Sequence, residues 1–438
     1  MSFCGAASAW LPPWRYDAAM TTNPSAGPRS LQETRPADAA QNKDMPAAPL
    51  AGRLFLGICL LLIAFNLRPL FPSLSVLLPE VSQALGMSGA VAGYLTTLPV
   101  LCLGLFAPFA PGLADRYGVE RVLLLVLLLI GAGTVARAAD ATTLLFVGSA
   151  MAGAGIALGN VLLPSVVKRD FHDKVALMTG LFTMALCGGA AASAAFTLPM
   201  AQLGDSWRFG LAAWALPAFA VALLWLPRCL RSGRVAHARK LPGMRLTHDG
   251  LAWQVSFFMG LQSALAYCVM GWMAPILRWR GLDGVTAGFY VSASIMVQVA
   301  TCLLVPPLAT RFRSQSPLNA GLALLAAAAL VGLIVAPIGM LPGLVLLQGI
   351  GQGGLFAIAM TVIILRSPDP RVAARLSGMS QAIGYVLAAF GPMLVGMLHS
   401  VTGSYAATGW LFAGIGLAAM VSGWGAGRPL FVKPRHLG

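Results

Sequence analysis

Charge is what this sequence has least of. Only 10% of its 438 residues are Asp, Glu, Lys or Arg, against about 25% in an ordinary soluble chain. Acidic residues are the scarcer kind, 14 against 29 basic ones. That scarcity excludes a large water-solvated domain, whose surface would need charge of both signs. Paired cysteines are also missing. Cys4, Cys59, Cys102, Cys187, Cys229, Cys268 and Cys302 form no C-x-x-C pair, and most lie inside apolar runs. They read as small packing residues, and no disulfide framework, metal or cofactor is expected. No H-E-x-x-H, no G-x-S-x-G and no nucleotide fingerprint occurs, so no enzyme is expected. Of the five histidines, His172, His237, His248 and His436 fall in loops or tails, and His399 reads as a helix C-cap.

What is present is apolar sequence. Hydrophobic residues make up 58% of the chain, and the mean hydropathy is +0.79. A membrane-crossing helix needs about 20 mostly apolar residues. Stretches of that kind fall at 54–79, 88–112, 119–139, 142–166, 175–199, 207–227, 251–277, 284–309, 317–338, 342–365, 375–399 and 404–425. The expected fold is an all-α membrane protein with twelve transmembrane helices in two pseudo-symmetric six-helix bundles. The expected divisions are a disordered cytoplasmic tail over 1–50, a first bundle over 51–227, a basic linker over 228–250, a second bundle over 251–426, and a cytoplasmic C-terminal tail over 427–438. The first 50 residues are polar and Pro-rich with no apolar period. They contain Met20 and Met45, either of which could start translation.

The net charge of +15 has a bland source. After the first span, alternate loops on one side hold about 19 basic residues, and the other side holds Arg137, Arg208, Arg278 and Arg280. The positive-inside rule then predicts that both termini are cytoplasmic, in a bacterial inner membrane. No basic stripe interleaved with aromatics marks a nucleic-acid face. The expected partners are a small-molecule substrate and the lipid bilayer, with a coupling proton open, and the expected state is a monomer.

The halves repeat. Gly86 to Tyr94 (GMSGAVAGY) aligns with Gly281 to Phe289 (GLDGVTAGF), and Pro111 to Tyr117 (PGLADRY) aligns with Pro306 to Phe312 (PPLATRF) at the same offset. Parallel six-helix repeats joined by a basic loop are a known transporter layout.

One charge is out of place. Arg68 sits about fifteen residues into the first span, where a guanidinium costs at least ~2.5–3.5 kcal/mol. No carboxylate lies at comparable depth, since Glu80 and Asp115 are near helix ends. Such a group should face a wet cavity, where five planar donors suit an anion. The alternative is a structural role, bonding carbonyls freed by Pro69 and Pro72. Other polar side chains in apolar helices are Asn66, Tyr94, Gln262, Tyr267, Gln298, Gln348, Gln352, Gln381 and Tyr385. As a set around Arg68 they form a candidate binding cavity; singly, each could be an interhelical hydrogen bond. The glycine-dense stretches at Gly153–Gly155 and Gly349–Gly354 suit close helix packing, and the second lacks a phosphate-loop lysine.

The loop Pro111-Gly112-Leu113-Ala114-Asp115-Arg116-Tyr117-Gly118-Val119-Glu120-Arg121 resembles the signature loop of the major facilitator superfamily. Asp115, Arg116, Gly118 and Arg121 fit that pattern, while Pro111 and Glu120 depart from it. Asn66-Leu67-Arg68-Pro69, Gly159-Asn160-Val161-Leu162-Leu163-Pro164, Lys168-Arg169-Asp170-Phe171, Ser206-Trp207-Arg208, Leu376-Ser377-Gly378-Met379-Ser380-Gln381, Gly384-Tyr385 and Gly391-Pro392 resemble the branch that holds cyanate and 2-nitroimidazole transporters. The resemblance implies gate roles for Asp115 and Arg116. Arg121, Asn160 near the cytoplasmic end of its helix, and Arg311, which aligns with Arg116, join them as gate candidates. The expected function is secondary active or facilitated transport of a small anion or small polar solute, cyanate-like or another small organic anion, by alternating access. Efflux of small drug-like or nitro-aromatic compounds is the alternative, and a transport-inactive membrane sensor is the remote one.

Overall fold

A computed structural model describes residues 50–171, 174–231, 244–433, 435 and 436. The N-terminal tail over 1–49 and the middle of the basic linker lie outside the described residues. Twelve helical stretches are long and apolar enough to cross a membrane, and they match the twelve apolar runs of the sequence.

The first span is broken. It consists of α1 (Leu50–Asn66) and α2 (Leu70–Ala84). Pro69 cannot donate to Phe65, and Pro72 cannot donate to Arg68, so the helical ladder lapses between them. Short-range bonds bridge the gap, with Leu67 N donating to Ala64 O at 3.1 Å and Phe71 N to Arg68 O at 3.3 Å. The freed Phe65 carbonyl points at Gly189, where a Cβ would come within 2.0 Å of its oxygen. Only glycine fits there.

The second span runs through α3 (Gly89–Phe106), a 3-10 turn and α4 (Ala110–Tyr117). Gly118, at φ 89°, turns the chain into α5 (Val119–Arg137). Next come α6 (Thr142–Asp170) and α7 (Val175–Leu203), then the sixth span as α8 (Trp207–Ala212) with α9 (Ala215–Arg231). After β1 (Met244–Arg245), the second half follows with α10 (Gly250–Trp279), α11 (Gly284–Ala309), α12 (Ser316–Val335), α13 (Leu341–Leu365), α14 (Pro370–Thr402) and α15 (Thr408–Ala426).

The repeat read in the sequence has a local structural cause. Gly86 (φ 60°) and Gly281 (φ 97°) each make a left-handed turn. Ser88 then caps α3 by accepting from Val91 N, and Asp283 caps α11 by accepting from Thr286 N.

The halves meet where α3 packs on α14, α7 on α11, and α2 on α10. The α3–α14 seam is tight because it is glycine against glycine: a Cβ on Gly396 would lie 2.5 Å from Gly89 O and 2.5 Å from Gly93 Cα. Hereafter the basic end is the one carrying Asp170 and Arg228, and the far end is the other.

Two features differ from the sequence reading. First, the all-α expectation gains one two-residue antiparallel pair, β1 with β2 (Arg435–His436). Val432 N also donates to Arg366 O and Lys433 N to Asp249 Oδ2, so the C-terminal tail is laced to the second half by backbone groups of no particular sequence signature. Second, Arg137 is not a loop residue. It ends α5 and is only 1% exposed, because its side chain turns inward to Leu70 O at 3.1 Å.

Candidate functional site

The break in the first span places Arg68 between the two halves. Its backbone lies in the Leu67–Pro69 gap on the first half, and its Nη1 lies 3.8 Å from the Met270 sulfur on α10 of the second half. Tyr267, Tyr385 and Cys187 lie within electrostatic range of the guanidinium. These neighbours come from α7, α10 and α14, so the side chain points into the protein interior and not toward the bilayer. Arg68 nevertheless remains half-buried. No ion pair to Arg68 exists among the described residues.

Beside the guanidinium stands a short array of rings. Phe71, one turn past Arg68, meets Tyr267 at 5.2 Å between ring centroids, and Tyr267 meets Tyr385 edge-on at 6.2 Å. The site therefore offers one fixed cation, two phenols and an aromatic wall. It can hold an anionic head by charge and hydrogen bonds and a flat body by ring contact.

The predicted residues divide. Arg68, Tyr267 and Tyr385 come together. Asn66 is buried next to the break and bonds its own helix at Leu62 O, 2.8 Å away. Gln262, Gln348 and Gln352 are buried inside the second half and bond helix to helix. Gln352 Nε2 donates to Gln262 O at 3.1 Å, and Ser294 Oγ donates to Gln348 Oε1. Gln381 donates to Ser377 Oγ at 2.8 Å, one turn back on α14. Gln298 is half-buried on α11, and Tyr94, on α3, is 48% exposed with no described ring contact to Tyr267 or Tyr385.

At the basic end, Asp115, Arg116, Arg121 and Arg311 are exposed, and Asn160 is half-buried on α6. None of these four charges forms an ion pair among the described residues. The pairing there runs through residues the sequence reading had not assigned together. Arg169 bridges Glu120 at 2.8 Å and Asp170 at 2.7 Å, and Arg228 reaches Asp170 at 3.2 Å. Glu120, the departure from the signature loop, is thus buried against a counter-charge on α6. Also missed were Met270, Cys187 and Phe71. Met270 carries a readable signal, since it lies three residues after Tyr267 and shares its helix face.

Comparison with known proteins follows the same lines. The family model described as Major Facilitator Superfamily matches residues 54–338. The chain is 36% identical over 378 residues to the 2-nitroimidazole transporter of Escherichia coli (strain K12), covering 86% of this chain and 96% of that one. It is 31% identical over 350 residues to the cyanate transport protein CynX of the same organism, covering 80% and 91%. The fold resembles the crystal structure of a bacterial homologue of the human lysosomal transporter Spinster, with a TM-score of 0.68 at 17% identity, covering 87% of this chain and 93% of that one. The chain is therefore a multi-pass membrane transporter, not an enzyme, and it belongs to the major facilitator superfamily.

Proposed function

We propose that the protein carries a small organic anion across the membrane by alternating access, with Arg68 as the residue that holds it. The observation behind this reading is a guanidinium set between the two halves, half-buried and without a carboxylate partner among the described residues. A site already neutralised by an acid would have no net attraction for an anion. Here the charge is left for the substrate, and the neighbouring Tyr267 and Tyr385, whose rings meet at 6.2 Å, bring two phenols to the same site. When the halves rock about this point, the anion is exposed first to one side and then to the other. Energy comes from the gradient of the anion or of a coupled ion. The relative that transports cyanate supports an anion.

The Phe71–Tyr267–Tyr385 array favours a second reading, a small nitro-aromatic, as for the 2-nitroimidazole relative. Asn66, Tyr94, Gln298 and Gln381 complete the substrate path, and Gln262, Gln348 and Gln352 hold its wall. Asp115, Arg116, Arg121, Asn160 and Arg311 serve the gate at the basic end. That end is cytoplasmic, with both termini inside, and the unit is a monomer.

The test is a thermal-shift screen of the purified protein against small carboxylates, cyanate and nitro-aromatics, run beside Arg68→Gln. A true ligand stabilises the fold that binds it. Carboxylates should raise the melting temperature of the wild type and not of the variant. Equal shifts in both proteins would remove Arg68 from the site.

A further inference from the structure

Among the described residues, every ion pair at the basic end stays inside the first half. At the far end one pair crosses. Arg278, on the last turn of α10, holds Glu80, near the end of α2, with both arms of its guanidinium. Nη2 lies 2.7 Å from Oε1 and Nη1 lies 2.8 Å from Oε2. Nη1 also donates to Val76 O at 3.2 Å. Among the described residues this is the ion pair that joins the two halves.

The geometry points to a second anion site: we propose that Arg278 receives a free carboxylate at the far-end entrance, and that Glu80 is the resident carboxylate which an arriving anion displaces. Four observations converge. A two-armed guanidinium–carboxylate clasp is the same pair of bonds a free carboxylate would make. The side chains are 25% and 33% exposed, so a solute from the far side can compete for the clasp without prior opening. Arg278 also lies on the face of α10 that looks at the first half. That face carries Tyr267 against Phe71, Met270 against Arg68, Gly271 against Thr96 and Arg278 against Glu80. Met270 and Arg278 are eight residues apart, about 12 Å along the helix axis, so one contact lies at the entrance and the other at depth. Finally, other described contacts between the halves at this end carry no ion pair: glycine packing at Gly89, Gly93 and Gly396, Gly288 against the Ala194 carbonyl, and Gly284 against Leu198. Exchange of Glu80 for a free anion therefore removes the ionic tie between the halves and loads the path to Arg68 in one step.

The proposal extends the anion reading of Arg68, but its test is carried out without that residue. The full chain, with native cysteines replaced, receives spin labels through Leu203→Cys and Val335→Cys. These positions end α7 and α12 at the far end of opposite halves and are 86% and 71% exposed. Distances are measured in lipid nanodiscs by electron double resonance, all in an Arg68→Gln background, with sodium benzoate or with sodium chloride at equal ionic strength. Benzoate, and not chloride, should raise the long-distance population about fivefold, the scale of a partly exposed ion pair. Adding Arg278→Gln should leave the far end wide and unresponsive. The exchange Glu80→Arg with Arg278→Glu should restore the short distance and the benzoate response, which separates loss of the clasp from misfolding. No benzoate effect in the Arg68→Gln protein, or an effect that survives Arg278→Gln, overturns the proposal. If Arg68 proves not to bind substrate, these outcomes stand unchanged.

Discussion

Nη1 of Arg68 and the sulfur of Met270 face each other at 3.8 Å across the boundary between the two halves. A thioether is a weak acceptor and leaves the guanidinium its charge. A carboxylate at position 270 would not. Met270→Glu should therefore tie off Arg68 in a permanent pair. Anion flux into proteoliposomes should fall to background while the protein still purifies as a folded species. Met270→Leu keeps the volume and should cost less than about 1.5 kcal/mol, with flux largely retained. Equal flux through Met270→Glu and Met270→Leu would contradict the placement of the anion.

Gly189 is fixed by the broken first span. A methyl group there would overlap Phe65 O at 2.0 Å. Gly189→Ala should destabilise the fold by about 1–3 kcal/mol through forced backbone movement. The melting temperature of the purified variant checks this. An unchanged value would mean that α1 and α7 are less closely packed than described.

The twelve spans were legible because each carries its own apolar run, and the bilayer sets its length. Arg68 was legible because charge at mid-span is costly wherever the chain goes. The partners of Arg68 were not, since Met270 lies 202 residues away and only packing brings it near. Gln262 and Gln352 looked like cavity residues because a sequence shows polarity but not which face of an all-round apolar helix is turned inward. They are 0% and 1% exposed; Gln352 donates its amide to Gln262 O, and Gln262 donates its own to Ser263 Oγ and Met259 O. Arg137 misled for the related reason that position at a span end does not tell which way a long side chain turns.

Arg137 gives a prediction of its own. It is a buried guanidinium with one bond to Leu70 O, and its Nε and Nη2 have no partner. Charges buried with incomplete pairing are often replaceable by apolar groups of similar volume, at no loss or a gain of about 1–4 kcal/mol. Arg137→Met should melt at or above the wild-type temperature, and Arg137→Ala, which leaves a cavity, should melt below it. A large loss in Arg137→Met would show that the bond to Leu70 O holds α2 in place.

Asp283 supplies a pH dependence. Its carboxyl is held below the usual carboxylate range by bonds from Thr286 at the start of α11. A depressed folded value means that this cap stabilises the fold above the ordinary carboxylate pKa of about 3.9 and loses its effect as pH falls through the lower folded value. Asp283→Asn still caps but cannot titrate. Melting curves taken from about pH 5 down to about pH 2 should therefore fall more steeply for the wild type than for the variant. Parallel curves would contradict the cap.

The most direct measurement is uptake of a radiolabelled carboxylate, identified in the thermal-shift screen, by proteoliposomes carrying wild type, Arg68→Lys or Arg68→Ala. Lysine keeps the charge and loses the planar fork, so it should retain only part of the flux. Alanine should retain none, with reconstitution and melting temperature unchanged. Wild-type flux through Arg68→Ala would contradict the account.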